Sequence, residues 1–241
     1  MMRRMMAMLA VGVLGGVFGG LTAPQAKADP VVIELYTSQG CSSCPPADAY
    51  MTELAARDDV IALSLHVDYW DYIGWKDSFG SPHFTARQKA YARAAGERSV
   101  YTPQMIVGGA ERVVGNHPRD LGLLIRKHAA RPDPVKMELV RGGGKLTIRA
   151  RAVGQISGPV AVQLVRYIPS ASVRIKRGEN AGRVIDYSNI VTEWQHIGEW
   201  DGQGPLALSV PVSGSDPVVV ILQGKAGKKG PGLVLAAAQL R

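Results

Sequence analysis

Val31-Val32-Ile33-Glu34-Leu35-Tyr36-Thr37-Ser38-Gln39-Gly40-Cys41-Ser42-Ser43-Cys44-Pro45-Pro46 is the stretch on which the reading of this chain rests. Its first half is apolar and rich in β-branched residues, which predicts a buried strand. Ser38, Gln39 and Gly40 end that run. Cys41 and Cys44 follow, three positions apart, where a helix is predicted to begin. Pro45 and Pro46 suit a first helical turn, because an amide hydrogen there has no helical partner to lose. Residues 47–57 continue with good helix formers.

That placement gives the cysteines a chemistry. The start of a helix carries partial positive charge and free N–H donors, so it favours a thiolate over a thiol. Cysteines so placed have pKa values below the free value of about 8.5. Cys41, at the loop end, is expected to be the more exposed thiol and the nucleophile. Cys44, one turn in, is expected to resolve the mixed disulfide. The chain has only these two cysteines. The competing reading is a permanent structural bridge. Against it, closing so short a loop removes little chain entropy. Ser42 and Ser43 read either as hydrogen-bond donors to the thiolate or as plain turn residues.

Composition narrows the class. Of the 241 residues, 46% are hydrophobic and 20% charged, as in ordinary globular proteins. Residues 1–28 hold three of the 28 basic residues and none of the 20 acidic ones, which leaves a net +5 on the remainder. No dense basic run interleaved with aromatics occurs, so nucleic acid is not an expected partner. Met1-Met2-Arg3-Arg4, an apolar stretch and Ala26-Lys27-Ala28 have the form of an export signal, residues 1–28, cut before Asp29. The alternative is an uncleaved anchor, the one membrane attachment the sequence offers. Export to the periplasm or beyond would place the cysteine pair in an oxidising compartment.

Past Cys44 the periodicity predicts a strand over 60–67, an aromatic loop with Tyr69, Trp70, Tyr72 and Trp75, and a helix from Ser81-Pro82 to Gly96. A glycine-turned hairpin and a third helix from Pro118 follow. The predicted order is β-α-β-α-β-β-α over residues 29–131, then a Pro-rich linker. Residues 135–241 read as evenly spaced short strands, which predicts an all-β sandwich-like domain. Within it, residues 176–183 form a charged glycine loop, read either as a solvated hairpin tip or as a segment overhanging the cysteines.

The first part resembles a thioredoxin-fold domain. The likeness is carried by Cys41-Ser42-Ser43-Cys44 between strand and helix, by Thr102-Pro103 opening the later hairpin, and by the element order. More closely, residues 34–48 with His66-Val67-Asp68-Tyr69-Trp70-Asp71 and Tyr101-Thr102-Pro103-Gln104 resemble a family of secreted bacterial proteins with a thioredoxin-like core, the domain of unknown function 1223. The resemblance extends over nearly the whole chain beyond residue 28. It implies an α/β thioredoxin-like domain and a cis peptide before Pro103, with Thr102 offering its backbone to a substrate strand. It also implies a buried Glu34 relaying protons for Cys44, against a solvent-facing or lysine-paired Glu34.

The function expected is thiol–disulfide exchange in the cell envelope. Cys41, Cys44, Pro103 and Glu34 would be catalytic, with Thr102, Trp70 and Trp75 at the substrate. Partners would be protein or small-molecule thiols or disulfides, and no cofactor is required. For Trp70 and Trp75 the alternative is packing against the second half. Two other functions stand beside it. One is a copper-binding protein using both thiols with His66 or Met105, against which His66 reads as a satisfied core residue. The other is a binding module with an inert bridge.

Overall fold

The computed structural model describes residues 29–226 and 230–241. The export-signal reading of residues 1–28 lies outside them. Among the described residues, no helix is long and apolar enough to cross a membrane.

Strand β1 (Val31–Thr37) and β2 (Val60–His66) are buried at every position. They pair in parallel, in register from Val31↔Val60 to Thr37↔His66. Parallel strands need a crossover, and α1 (Pro45–Ala55) supplies it. Burial on both faces explains the unbroken apolar run, since each face must meet a helix. Val31, Ile33 and Leu35 meet Ala47, Met51 and Leu54 of α1. Val32 and Tyr36 point the other way, to Phe84 and Tyr91 of α2 (Pro82–Ala95). Ser81 caps α2 by accepting from the His83 amide, and Gly96 ends it at φ +77°.

The edge beyond β1 is completed by β3 (Gln104–Val107) and β4 (Glu111–Val114). Helix α3 (Pro118–Ala129) then brings Leu121 and Ile125 onto the α1 face. The later strands are β5 (Val135–Gly142), β6 (Lys145–Ala152), β7 (Val160–Arg174), β8 (Val184–Trp200), β9 (Leu206–Pro211), β10 (Val218–Lys225) and β11 (Pro231–Leu240).

Here the expected architecture is corrected. The chain is not an α/β thioredoxin-like domain followed by a separate sandwich. Among the described residues it is mostly β, with eleven strands and three α-helices. One eight-stranded mixed sheet, in the order β11-β10-β7-β8-β2-β1-β3-β4, runs through both halves. The remaining strands form a three-stranded sheet, β5-β6-β9. Leu146 and Ile148 of that sheet pack on Val160, Val162, Val220 and Leu222 of the large one. The free edge of β2 is the physical reason for the merger. An unpaired buried edge leaves backbone donors and acceptors unsatisfied, and β8 covers it.

The join is made largely by side chains. The β2–β8 ladder has one bridge, Ser64↔Ile190. Around it, Ser64 Oγ donates to the Ser188 carbonyl at 2.8 Å, and Asn189 Nδ2 donates to the Ala62 carbonyl at 2.9 Å. Asn189 sits at φ +48°, a conformation asparagine tolerates better than branched residues. On the opposite face Arg87 of α2 reaches Gln163 of β7 and Gln223 of β10. At the far end, Val234 donates its amide to the Gly108 carbonyl. A Cβ on neighbouring Gly109 would lie 2.4 Å from the Gly232 carbonyl, so that approach requires glycine.

Candidate functional site

Cys44 is the N-cap residue of α1, with Pro45 at the first helical position. Cys41 and Cys44 are joined in a disulfide with Cα atoms 5.4 Å apart. The sequence places this pair where β1 hands over to α1, and the tertiary fold closes around it. The peptide between Thr102 and Pro103 is cis, and it lies beside the pair. Ser43 Oγ is 3.4 Å from Cys41 Sγ and donates to the Thr102 carbonyl at 3.5 Å.

The expected exposure of Cys41 is corrected. Cys41 is 1% and Cys44 0% exposed, while Ser42 and Ser43 between them are open to solvent. Two segments cover Cys41. The first is the aromatic loop after β2. Trp70 Nε1 donates to Thr102 Oγ1 at 2.8 Å and stacks on the exposed ring of Tyr72. Trp75 Nε1 donates to Gln39 Oε1 at 2.9 Å, and Trp75 also packs on the Ile175–Ile185–Tyr187 cluster. Both tryptophans therefore border the disulfide loop, and Trp75 also contacts the later half. The second cover is the charged glycine loop between β7 and β8. Asn180 Nδ2 donates to the carbonyls of Gln39 at 3.0 Å and Cys41 at 2.9 Å. Glu179 Oε2 accepts from the Ser42 amide at 3.3 Å. This loop overhangs the cysteines, and the solvated-tip reading is set aside.

Glu34 is buried as expected, but the relay role is corrected. It lies on the α2 face of the sheet, opposite α1 and Cys44. Arg87 holds both its oxygens at 2.7 and 2.8 Å, and the Tyr36 and Tyr91 hydroxyls donate to it at 2.8 and 2.7 Å. Its partner is an arginine in a closed cluster, not a lysine, solvent or a thiol.

A different acid occupies the cysteine side. Asp48 lies four residues after Cys44 in α1, so the two share one helix face, a turn apart. Asp48 is 2% exposed. Thr37 Oγ1 donates to its Oδ1 at 2.7 Å, and Oδ2 has no hydrogen-bond partner from the protein. Burial is the main cause that pushes its pKa up to about 7, partly opposed by the nearby His66 and by the Thr37 hydrogen bond. His66, register partner of Thr37, completes the cluster with its Nδ1 2.8 Å from Asp77 Oδ2. Burial raises the Asp77 pKa, but His66 and the amides of Gln39 and Phe79 outweigh it and hold that carboxyl below its usual value. The Gln39 amide donates to Asp77 at 2.8 Å, which ties this cluster to the cysteine loop. The sequence reading missed Asp48, although the four-residue spacing from Cys44 was visible in it. It did not single out Asn180, although one of its two readings of residues 176–183 had that loop overhang the cysteines.

Asp48 gives a test of the cluster. Its folded pKa of about 7 stands above the ordinary 3.8. The stability gained by holding that proton is therefore present below pH 3.8 and is lost as pH rises through about 7. Asp48→Asn is expected to flatten the fall in melting temperature between pH 5 and 8. Identical pH profiles for both proteins would show that the carboxyl does not titrate in this range.

The copper set is not assembled. The two cysteines bond to each other, His66 is engaged by Asp77, and its ring is fully buried against Phe79 and Tyr187. Among the described residues no group of three His, Cys, Asp or Glu is placed to hold a metal ion.

Fold and site together define a class: a mixed-sheet protein with a cysteine pair at the start of its first helix, sealed by a hairpin from its later half. The chain belongs to the family described as "Protein of unknown function (DUF1223)", which matches residues 32–223. It is similar to a structural-genomics crystal structure from Agrobacterium tumefaciens at 32% identity and TM-score 0.78, covering 90% of this chain and 96% of that one. It also shares its fold with HBP35 of Porphyromonas gingivalis, at 14% identity and TM-score 0.57, over 88% of this chain and 75% of that one. No curated protein matches.

Proposed function

We propose that this protein catalyses thiol–disulfide exchange, in the cell envelope to which the signal-like residues 1–28 would direct it. The observation that carries the reading is the bond between Cys41 and Cys44 at the N-terminus of α1, beside the Thr102–Pro103 peptide. A partner thiolate attacks Cys41 Sγ and the Cys41–Cys44 bond breaks, its electron pair leaving on Cys44 Sγ. Asp48, which holds a proton near neutral pH, is placed one turn away to pass it to Cys44. A second partner thiolate then displaces Cys41 Sγ from the mixed disulfide, and Cys41 takes up a proton. The partner's two sulfurs end joined, and the protein ends as a dithiol. The reverse sequence reduces a partner disulfide, with the Asp48 carboxylate taking the Cys44 proton.

The experiment is turnover: refolding of a scrambled disulfide protein in a glutathione buffer, with and without catalytic amounts of this protein. A rate above the uncatalysed one is expected. No acceleration in either the oxidised or the reduced starting form would leave an inert bridge.

A further inference from the structure

The site holds a contradiction that the exchange reading must resolve, because a sulfur 1% exposed cannot meet a partner. The loop that covers it is anchored at its base by backbone hydrogen bonds, and its tip is held by side-chain hydrogen bonds and by the close approach of Gly178 to Trp75. At the base, the Ile175 amide donates to the Arg183 carbonyl and the Gly182 amide to the Ile175 carbonyl, both at 2.9 Å. Ile175 itself is fully buried against Trp75 and Phe79. At the tip, three hydrogen bonds hold the cysteine loop, two from Asn180 and one to Glu179. Gly178 at φ +76° and Gly182 at φ +86° flank Asn180. Both are in the left-handed region, which glycine adopts without the steric penalty other residues meet. Asn180 is 1% exposed and its Oδ1 has no hydrogen-bond partner from the protein. An unpaired buried acceptor is costly, and opening relieves it by hydration. The closed loop is thus held and partly opposed by the same side chain.

We propose that the β7–β8 loop is a lid over Cys41 that a polypeptide partner opens and a small thiol does not. The inference rests on the exchange reading and names the substrate class for it. When Asn180 leaves, the Gln39 carbonyl loses its side-chain donor and the Cys41 carbonyl keeps only the Cys44 amide, at 3.2 Å. An extended peptide laid across them supplies backbone N–H groups in Asn180's place, and so binds the open form better than the closed. A ligand shifts a conformational equilibrium only through such differential contacts. A small dithiol makes none and reacts only with the fraction already open.

The test follows reduction of the Cys41–Cys44 bond in single-turnover form, by thiol alkylation and mass spectrometry, at equal concentrations of dithiothreitol and of a synthetic peptide containing two cysteines. In each case the dithiol's sulfurs become joined and its two protons pass to Cys41 and Cys44. The wild-type protein is expected to react faster with the peptide. Asn180→Ala is expected to speed the dithiothreitol reaction roughly tenfold or more, as the loss of two net hydrogen bonds implies, and to change the peptide reaction much less. Asn180→Asp, nearly the same size but without the donors, serves as the second variant, with melting curves to establish that each is folded. Equal dithiothreitol rates in the wild type and both variants would overturn the lid. Equal acceleration of both reductants would overturn the peptide preference. Neither readout needs turnover, so a protein inactive in the refolding assay still reports on the lid.

Discussion

Cys41→Ser is expected to bring catalysed exchange down to the uncatalysed rate, while Cys44→Ser traps partners as mixed disulfides. The asymmetry follows from position. Cys41 sits in the loop, in contact with Ser43 and directly beneath the Asn180 lid. Cys44 caps α1 and is fully buried. An attacking sulfur reaches Cys41 first, and only Cys44 is placed to expel what has been captured. The cost in stability separates this from a staple. Closing a loop with a sequence separation of 3 is worth about 2 kcal/mol in the chain-entropy account. Both serine variants should therefore remain folded, with similar, modest losses in melting temperature. The checks are the refolding assay and intact mass after incubation with a disulfide partner. Turnover by Cys41→Ser would remove the enzyme reading, and an adduct on Cys41→Ser in place of Cys44→Ser would exchange the two roles.

Arg87→Met is expected to cost about 3–5 kcal/mol of folding stability, the range for leaving a buried charge without its partner. Glu34 is 1% exposed and receives two of its four hydrogen bonds from this guanidinium. The other two come from Tyr36 and Tyr91, whose hydroxyls burial keeps protonated by raising their pKa values. The same guanidinium lies 3.7 Å over the Trp194 ring and bonds to Gln163 and Gln223. One side chain therefore joins β1, α2, β7, β8 and β10. Adding Glu34→Leu to Arg87→Met should restore a large part of the loss, because the carboxylate is then no longer stranded. Urea unfolding measures both. A loss under about 1 kcal/mol, the scale of an exposed ion pair, would contradict this account.

The two results bear on different faces of one sheet. The Arg87 cluster lies on the α2 face and the disulfide at the start of α1 on the other. Arg87→Met is expected to lower stability without changing the exchange rate per folded molecule.

Much of this was legible in the sequence. The strand–loop–helix unit around Cys41 and Cys44 follows from an apolar run, a glycine break and two prolines, all signals that act over a few residues. The expectation of short strands throughout residues 135–241 fails at β7, which is 15 residues long, for an instructive reason. Pro169 and Ser170 look like a break, yet β7 runs through them. Opposite them in β8, Asn189 donates its side-chain amide to β2, and Ser188 offers its carbonyl to Ser64 of β2 and its hydroxyl to Thr52 of α1. Polar residues that read locally as strand ends are the bonds between the two halves.

By itself, then, the chain order determined where the cysteines sit and which helix they begin. Only the tertiary structure decided which face Glu34 occupies, that one sheet spans both halves, and that Asn180, 139 residues from Cys41, closes over it. The reason is range. Periodicity, caps and turns report energies between neighbours in sequence, whereas a strand edge takes whichever distant segment satisfies its hydrogen bonds, and no local pattern names that segment.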